Sequence, residues 1–258
     1  MSDEIRVYWQ TGCTSCLRTK EFLTRHGVPF ASRNVLEDET AFEELSRFGL
    51  RQVPIVTRGD KWANGQVLAD VARLAGIQLG EQKLIAVDDL ARRLTAILAA
   101  ADRYFVQLPD DQLAAQLPNR PRSYADLTYH IFNIADAFLE HDEGIPLTYE
   151  SYNRVPPPGM TTKADILAYG RDVQERLAAW FAAKSAAAAW TAKADVYYGE
   201  QTLHQFLERT TWHSGQHTRQ LAWVLERLGI APDGALGKDV FEGLPMPEKV
   251  WDDERQAA

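Results

Sequence analysis

Residues 202–229 read TLHQFLERTTWHSGQHTRQLAWVLERLG, and this stretch decides the fold of the longer, C-terminal part of the chain. Thr202 and Gln205 form a capping box at its start, and Gly229 provides a stop at its end. The stretch therefore predicts one long helix. Its apolar residues recur at helical spacing and are Phe206, Leu207, Leu221, Val224, Leu225 and Leu228.

Two histidines on this helix are candidate metal ligands. His213 and His217 are four residues apart, so both imidazoles leave the same face of the helix. A pair in this arrangement can hold one metal ion, with a third ligand supplied by a facing helix. Packing at a surface or in a core is the alternative for the pair alone, because histidine also serves there.

A third histidine strengthens the prediction of a metal site. Residues 123–144 predict a second helix, with Ser123 and Asp126 as its capping pair and Gly144 just past its end. His130 lies on or beside the apolar side of that helix. A buried imidazole needs a partner, and a shared metal ion would provide one.

The residues around these histidines resemble the DinB-like superfamily of four-helix bundles. The resemblance covers roughly residues 83–240 and is carried by His130 in an amphipathic helix and by the segment WHSGQHTRQLAWVLERLG. It implies that His130, His213 and His217 bind one divalent metal ion. Zinc is the expected ion, with nickel, manganese and iron as alternatives.

The amino-acid composition restricts the class of protein and its expected partners. The chain has 258 residues, 45% of them hydrophobic and 25% charged, which is typical of a soluble globular protein of one or two domains. Acidic and basic residues balance in the first 80 residues, so the net charge of −8 falls on the remainder. We therefore expect no nucleic-acid partner. The lack of a long apolar run or a secretory start predicts a cytoplasmic location and no membrane partner.

The first 80 residues predict an α/β sheet with helices on its faces. Apolar runs and Gly or Pro breaks give a regular order of elements. We expect strands at 5–9, 28–35 and 53–57, a further strand from 61, and helices at 14–27, 38–48 and 67–74.

The two cysteines of the chain form a Cys13-Thr14-Ser15-Cys16 motif at the first strand–helix junction. The helix N-terminus favours a thiolate at Cys13, and Cys16, about one turn later, is placed to resolve a mixed disulfide. Half of a zinc site is the alternative, but the chain has no second cysteine pair. Redox catalysis by Cys13 and Cys16 is the favoured interpretation.

This segment resembles a glutaredoxin within the thioredoxin superfamily. The residues that carry the resemblance are 8–16, YWQTGCTSC, and 51–55, RQVPI. It implies a cis Val53–Pro54 bond and glutathione as cosubstrate. The implied thiol-binding residues are Tyr8, Gln52, Val53, Pro54, Asn64, Gly65 and Gln66.

The predicted organisation is an α/β thioredoxin-like domain followed by an all-α four-helix bundle. We assign the glutaredoxin-like domain to 1–78, the bundle to 83–240 and a C-terminal tail to 241–258, with a short linker at 76–81. The bundle helices are expected at about 83–105, 123–144, 162–183 and 202–229, and Thr162 and Asp165 form the capping pair of the third. The long connection at 142–161 has two open interpretations, a cover for the metal site and a spacer.

Together these features predict an enzyme that uses glutathione, or a similar low-molecular-weight thiol, on a small electrophile by transfer, isomerisation or reduction. A dithiol redox site would be coupled to a metal site that activates thiols. One alternative is a glutaredoxin-type disulfide reductase with a structural bundle. Another is a non-catalytic redox or metal sensor. A homodimer is left open.

Overall fold

The computed structural model describes residues 4–80 and 83–252. The chain divides into two compact units, Met1–Lys83 together with Pro247–Ala258, and Leu84–Met246. Residues 81 and 82 of the predicted linker and residues 253–258 of the predicted tail lie outside the described residues, as do residues 1–3.

The first unit alternates strands and helices in the predicted order. The elements are β1 (Ile5–Trp9), α1 (Thr14–Arg25), β2 (Ala31–Asn34), α2 (Glu39–Ser46), β3 (Ile55–Arg58), β4 (Lys61–Asn64) and α3 (Leu68–Ala75). The sheet has the order β2-β1-β3-β4, in which β1 and β2 are parallel and the other neighbours are antiparallel. The predicted thioredoxin-like fold is confirmed.

Alternation along β1 builds a hydrophobic cluster on each side of the sheet. Ile5 and Val7 pack with Phe22 and Leu23 of α1 and with Val71 of α3. The intervening side chain of Tyr8 points the other way and packs with Val35, Ala41, Leu45 and Ile55, which come from the α2 side. Helices on both faces therefore fix β1, and with it the turn that follows Trp9.

The second strand is shorter than predicted because its first residues complete the preceding helix. The Val28 backbone N–H donates to the carbonyl of Leu23 at 3.0 Å, which closes the end of α1. Pro29 follows and has no N–H to give to a ladder. Strand pairing therefore starts only at Ala31.

The C-terminal segment 247–252 belongs to the first unit, where it contacts α1. The carboxylate of Glu21 accepts the backbone N–H groups of Glu248 at 2.7 Å and Lys249 at 3.0 Å. Lys20 Nζ lies 2.7 Å from Asp252 Oδ2, and both side chains are only 6% exposed. The same ammonium lies 3.4 Å from the centroid of the Trp9 ring. Part of the predicted tail is thus packed structure.

The second unit is mainly helical, as predicted. Each capping box read from the sequence is present, at Ser123, Thr162 and Thr202. Its elements are α4 (Val87–Gln107), α5 (Tyr124–Asp142), α6 (Tyr149–Tyr152), α7 (Lys163–Lys184), β5 (Lys193–Ala194), β6 (Gln201–Thr202), α8 (Leu203–Arg227) and α9 (Lys238–Phe241).

Helix α4 begins four residues later than predicted because contacts with α8 hold the chain extended. The Ile85 backbone N–H donates to Glu208 Oε1 at 3.2 Å, and its carbonyl lies 2.7 Å from His204 Nε2. These bonds engage the backbone groups that a longer helix would have used.

Four long helices, α4, α5, α7 and α8, pack around one core, with α8 and α7 each against both α4 and α5. The α5–α7 approach requires glycine at 170, since a Cβ there would lie 2.6 Å from the Phe132 ring.

Within the described residues, no helix is both long and apolar enough to cross a lipid bilayer.

Candidate functional site

The cysteine motif lies at the N-terminus of α1, where the sequence placed it. Cys13 is the N-cap residue, and the Cys16 backbone N–H points at its sulfur, with N and Sγ 3.2 Å apart. The two cysteines form a disulfide in the structure. Cys13 is partly exposed, whereas Cys16 is fully buried. A helix N-terminus and a directed N–H both favour negative charge on Cys13, so its position suits an attacking thiolate.

The predicted thiol-binding segments meet beside α1. The Val53–Pro54 bond is cis, as predicted. The Gly65 N–H donates to the Pro54 carbonyl at 2.9 Å, and Thr19 Oγ1 of α1 donates to the Gly65 carbonyl at 2.7 Å. A Cβ on Gly65 would lie 2.8 Å from Pro54 Cβ, so this approach requires glycine.

The other members of this predicted set have different environments. Asn64 Oδ1 accepts the backbone N–H of Gln66 at 3.0 Å, which shapes the turn, and Gln52 is half-buried like Val53. Tyr8 is buried, and its hydroxyl donates to Glu44 Oε2 at 2.6 Å on the α2 side. Its contacts give no support to direct thiol binding by Tyr8, which stays a prediction, as do the other roles.

The three predicted metal ligands come together in the second unit. One nitrogen from each of His130, His213 and His217 lies within 4.8 Å of the others. His130 comes from the middle of α5, and the pair comes from two successive turns of α8. The rings are only 2–6% exposed. A sequence separation of more than 80 residues is thus closed by the packing of α5 on α8.

Two residues outside the predicted set orient the α8 imidazoles. The Tyr152 hydroxyl oxygen lies 2.7 Å from His213 Nδ1, and Gln220 Oε1 lies 2.7 Å from His217 Nδ1. Because an amide oxygen can only accept, His217 Nδ1 carries the proton and its Nε2 keeps a lone pair. Metal-binding histidines are typically held in this way by a partner on the second ring nitrogen.

The remaining imidazole fits a metal ligand for a different reason. His130 Nδ1 is buried and has no hydrogen-bond partner. A buried polar atom of this kind is costly unless something binds it. Burial, followed by the positive charge of Arg122, lowers the pKa of His130 well below its ordinary value. Burial also lowers the pKa values of His213 and His217. A histidine must be neutral to bind a metal ion, so these three imidazoles can supply three nitrogen donors to one divalent ion.

Arg209 of α8 lies on the same face of the helix as the histidine pair. Arg209 precedes His213 by four residues and is 5% exposed. Its guanidinium carbon lies 4.3 Å from the centroid of Tyr198, 5.2 Å from that of Tyr152 and 5.5 Å from that of Trp212. The Arg-x-x-x-His-x-x-x-His spacing is the sequence signal that could have identified it.

Neighbours of the histidines have mixed roles. Trp212 stacks on His213, with ring centroids 5.2 Å apart. Glu140 pairs with Arg154, the Asp142 carboxylate contacts Lys184, and His141 Nε2 accepts the N–H of Asp195. Those last three acceptors stabilise the end of α5 and the loops beside it. They lie outside the histidine cluster.

Two family models match this chain, in separate regions. The glutaredoxin model matches residues 5–62, and the DinB superfamily model matches residues 93–221, which is half of the chain. Two relatives are described as glutaredoxin-like protein NrdH, from Lactococcus lactis subsp. cremoris strain MG1363 and L. lactis subsp. lactis strain IL1403. Each is 28% identical over 71 residues, which cover 28% of this chain and 99% of the relative. The two matched regions contain the cysteine pair and the three histidines.

Proposed function

Because this chain belongs to the DinB superfamily and carries a glutaredoxin domain before it, we propose that it is an enzyme that uses a low-molecular-weight thiol on a small electrophile. Three buried imidazoles that converge on one point carry the proposal. The glutaredoxin domain indicates thiol–disulfide oxidoreductase activity. Glutathione is the first thiol to test, and transfer, isomerisation and reduction are the candidate reactions.

His130, His213 and His217 would hold the metal ion, with zinc as the first candidate and nickel, manganese or iron as alternatives. A divalent ion bound to three imidazoles supplies a Lewis acid that lowers the pKa of a thiol or water. Three protein ligands also leave a coordination position for such a molecule.

The chain's own residues would prepare this site. A proton on Nδ1 of His213 and of His217 leaves each Nε2 free to bind, and Tyr152 and Gln220 fix those rings. Trp212 stacks on the His213 ring and limits its rotation. Burial of all three rings excludes water and strengthens every electrostatic contact made there.

The glutaredoxin domain would exchange electrons with disulfides by two displacements. The Cys13 thiolate attacks one sulfur of a substrate disulfide, forms a mixed disulfide and releases one thiolate, which takes a proton. The Cys16 thiolate then attacks the Cys13 sulfur and releases the second thiol. The substrate gains two electrons and two protons, and the Cys13–Cys16 disulfide of the structure is the oxidised product. Two equivalents of a thiol such as glutathione would restore the dithiol.

Because both sites belong to one chain, a thiol product released at one site meets the other site at a raised effective concentration. When the reaction in the helical unit is a reduction, two thiols would be oxidised to a disulfide as the electrophile accepts two electrons. The Cys13–Cys16 dithiol would reduce that disulfide to two thiols, and an external dithiol reductant would restore the pair. The two sites would then serve one thiol cycle.

A direct assay tests the helical site. Full-length protein of measured zinc content is incubated with glutathione and a panel of electrophiles, and thiol loss and adducts are followed by mass. We expect His217→Ala to lose the electrophile reaction while its Cys13–Cys16 pair remains reducible. An undiminished reaction in zinc-free His217→Ala protein would overturn the proposed function.

A disulfide reductase whose helical unit has only a structural metal is the second candidate. The Cys13–Cys16 disulfide at a helix N-terminus and the similarity to glutaredoxin-like proteins favour it. In that case the panel would show disulfide reduction but no electrophile adduct, and His217→Ala would reduce disulfides at the wild-type rate.

A further inference from the structure

The short helix that carries Tyr152 is held against α5 by an asparagine. Helix α6 is a single turn, Tyr149–Tyr152, so its last carbonyl groups cannot be satisfied within the helix. Asn133 of α5 provides donors for two of them. Its Nδ2 lies 3.2 Å from the carbonyl oxygen of Ser151 and 3.3 Å from that of Tyr152. The backbone of Tyr152 is therefore fixed relative to α5.

The Asn133 side chain serves α6 and makes no other polar contact among the described residues. Both neighbours are carbonyl oxygens, which only accept, so the NH2 group must face them. The Asn133 oxygen is then left buried without a hydrogen-bond partner, and the residue is fully buried. An unsatisfied oxygen in such a place is costly. What the amide contributes in return is its pair of contacts with α6.

A second contact attaches the same segment to α5. Arg154 Nε donates to the Ser151 carbonyl at 2.8 Å, and its guanidinium group also donates to Glu140 Oε1 at 2.8 Å. Asn133 and Glu140 are seven residues apart, so they lie two turns apart on one face of α5. The end of α6 is thus anchored to that face at two points.

The Tyr152 side chain connects this anchored backbone with α8. The centroid of its ring lies 5.8 Å from that of His130 on α5 and 5.2 Å from that of His213 on α8. Its hydroxyl oxygen is 2.7 Å from His213 Nδ1. Because the backbone position of a residue limits where its side chain can reach, the Asn133 amide on α5 also limits the position of a hydroxyl that contacts α8.

We propose that Asn133 is a positioning residue of the histidine site. It holds the backbone of Tyr152, and through the Tyr152 hydroxyl it determines which ring nitrogen His213 offers to a metal ion. This inference deepens the proposed function, on which it rests for the role of the histidines. A hydroxyl oxygen held at Nδ1 leaves Nε2 to bind. Without the amide, two buried carbonyl groups lose their donor, α6 shifts, and the hydroxyl no longer fixes the ring.

A double-mutant cycle on zinc affinity tests this role. Zinc affinity is measured by chelator competition for full-length wild type, Asn133→Leu, Tyr152→Phe and the double variant. We expect affinity to fall roughly tenfold in Tyr152→Phe and about three- to tenfold in Asn133→Leu. The double variant should match Tyr152→Phe within about twofold, because the hydroxyl through which Asn133 acts is already absent. Asn133→Ala completes the same cycle if Asn133→Leu does not fold.

Two results of the cycle would overturn the inference. One is a double variant whose loss of zinc affinity is the product of the two single losses, since Asn133 would then act independently of Tyr152. The other is wild-type zinc affinity in an Asn133 variant that has lost its amide and still folds.

Gln107→Leu is the matched control. Gln107 of α4 also ties a connection to a helix, because its Nε2 donates to the Ala231 carbonyl at 2.9 Å and its Oε1 accepts the Asp233 N–H at 2.8 Å. Its loss should lower folding stability and leave zinc affinity unchanged. Equal losses of affinity in Gln107→Leu and Asn133→Leu would show that zinc reports stability, and would overturn the positioning role.

A second readout requires no metal. In metal-free protein with 15N-labelled histidine, the Nδ1 resonance of His213, assigned with His213→Ala, reports its hydrogen bond with Tyr152. We expect this resonance in Asn133→Leu to move from its wild-type position towards that in Tyr152→Phe. Failure of wild type to hold zinc would overturn the metal site and leave this resonance to decide the inference. A wild-type resonance in Asn133→Leu would overturn the role of Asn133.

Discussion

The two candidate sites of this chain are built in opposite ways. The cysteine site consists of four consecutive residues at one strand–helix junction, and its key contact joins Cys16 N to Cys13 Sγ. The histidine site takes one histidine from α5, two from α8 and a supporting tyrosine from the connection between α5 and α7. The difference shows that local backbone geometry is enough to favour a thiolate, whereas bringing three neutral imidazoles together requires tertiary packing.

Exposure separates the two sites as well. Cys13 is partly exposed, while the three histidines are nearly inaccessible. An exposed sulfur can meet a large disulfide substrate. A buried cluster accepts only small molecules, and this agrees with the small electrophile proposed for it.

The largest effect is expected from removing the attacking sulfur. Cys13→Ser should lose reduction of a small disulfide below detection, because a serine hydroxyl is not ionised at neutral pH. The measurement is glutathione-coupled reduction of hydroxyethyl disulfide, together with zinc content, which should not change. Cys16→Ser is the control, because it keeps the first displacement and should accumulate a mixed disulfide at Cys13. Wild-type turnover by Cys13→Ser would show that the cysteine site is not catalytic.

Loss of a ligand should have the next largest effect. His213→Ala removes one of three donors, and its zinc affinity should fall by more than roughly a hundredfold, which exceeds the usual effect of losing a residue that only supports a ligand. Zinc is measured by competition with a chelator of known affinity. His141→Ala is the control, because that histidine accepts the Asp195 N–H away from the cluster. Equal zinc affinity in the two variants would contradict a three-histidine site.

The sequence predicted what depends on neighbours along the chain. The capping boxes at Ser123, Thr162 and Thr202 were readable because the two members of each box are three residues apart and the backbone alone brings them together. The thioredoxin-like order of elements and the cis Val53–Pro54 bond were likewise predicted, the latter by resemblance. The convergence of His130 with the α8 pair followed from helix faces and from the family resemblance.

What the sequence did not predict depends on long-range packing. Tyr152 is part of the connection 142–161, for which a cover and a spacer were both open, and nothing local indicates that its hydroxyl reaches His213. Gln220 is three residues from His217, but a polar residue at that spacing on a helix is ordinary. The ion pair between Lys20 and Asp252 joins residues from opposite ends of the chain, so no spacing rule could identify it.

That ion pair also tests whether the stability of the first unit depends on the C-terminal segment. Asp252→Asn removes the carboxylate that pairs with the buried Lys20 ammonium, while the Trp9 ring still contacts that ammonium. We expect it to destabilise the first unit by about 2–3 kcal/mol, somewhat below the usual value for breaking a buried pair. Hydrogen exchange of the β1 and β3 amides measures the change. Glu248→Gln breaks an exposed pair with Arg25 and should change the stability of the first unit by less than about 1 kcal/mol. Equal exchange in both variants would mean that the unit needs no C-terminal segment.

The smallest effect is expected at the tyrosine that orients a ligand. In the proposed site, the Tyr152 oxygen accepts the Nδ1 proton of His213 and leaves Nε2 to bind the metal ion. Tyr152→Phe keeps the ring but removes that acceptor. The imidazole can then adopt the other tautomer or rotate, so zinc affinity should fall roughly tenfold.

Tyr169→Phe is the matched control, because it deletes a hydroxyl that donates to Asp136 Oδ2 at 2.8 Å, away from the cluster. Each variant should lose about 1 kcal/mol of folding stability with its hydrogen bond. Only Tyr152→Phe should also lose zinc affinity, measured by chelator competition. A parallel loss of affinity in both variants would mean that zinc reports general stability. An unchanged affinity in Tyr152→Phe would mean that α5 and α8 alone prepare the imidazoles, and the histidine site would then depend on fewer parts of the chain than its contacts indicate.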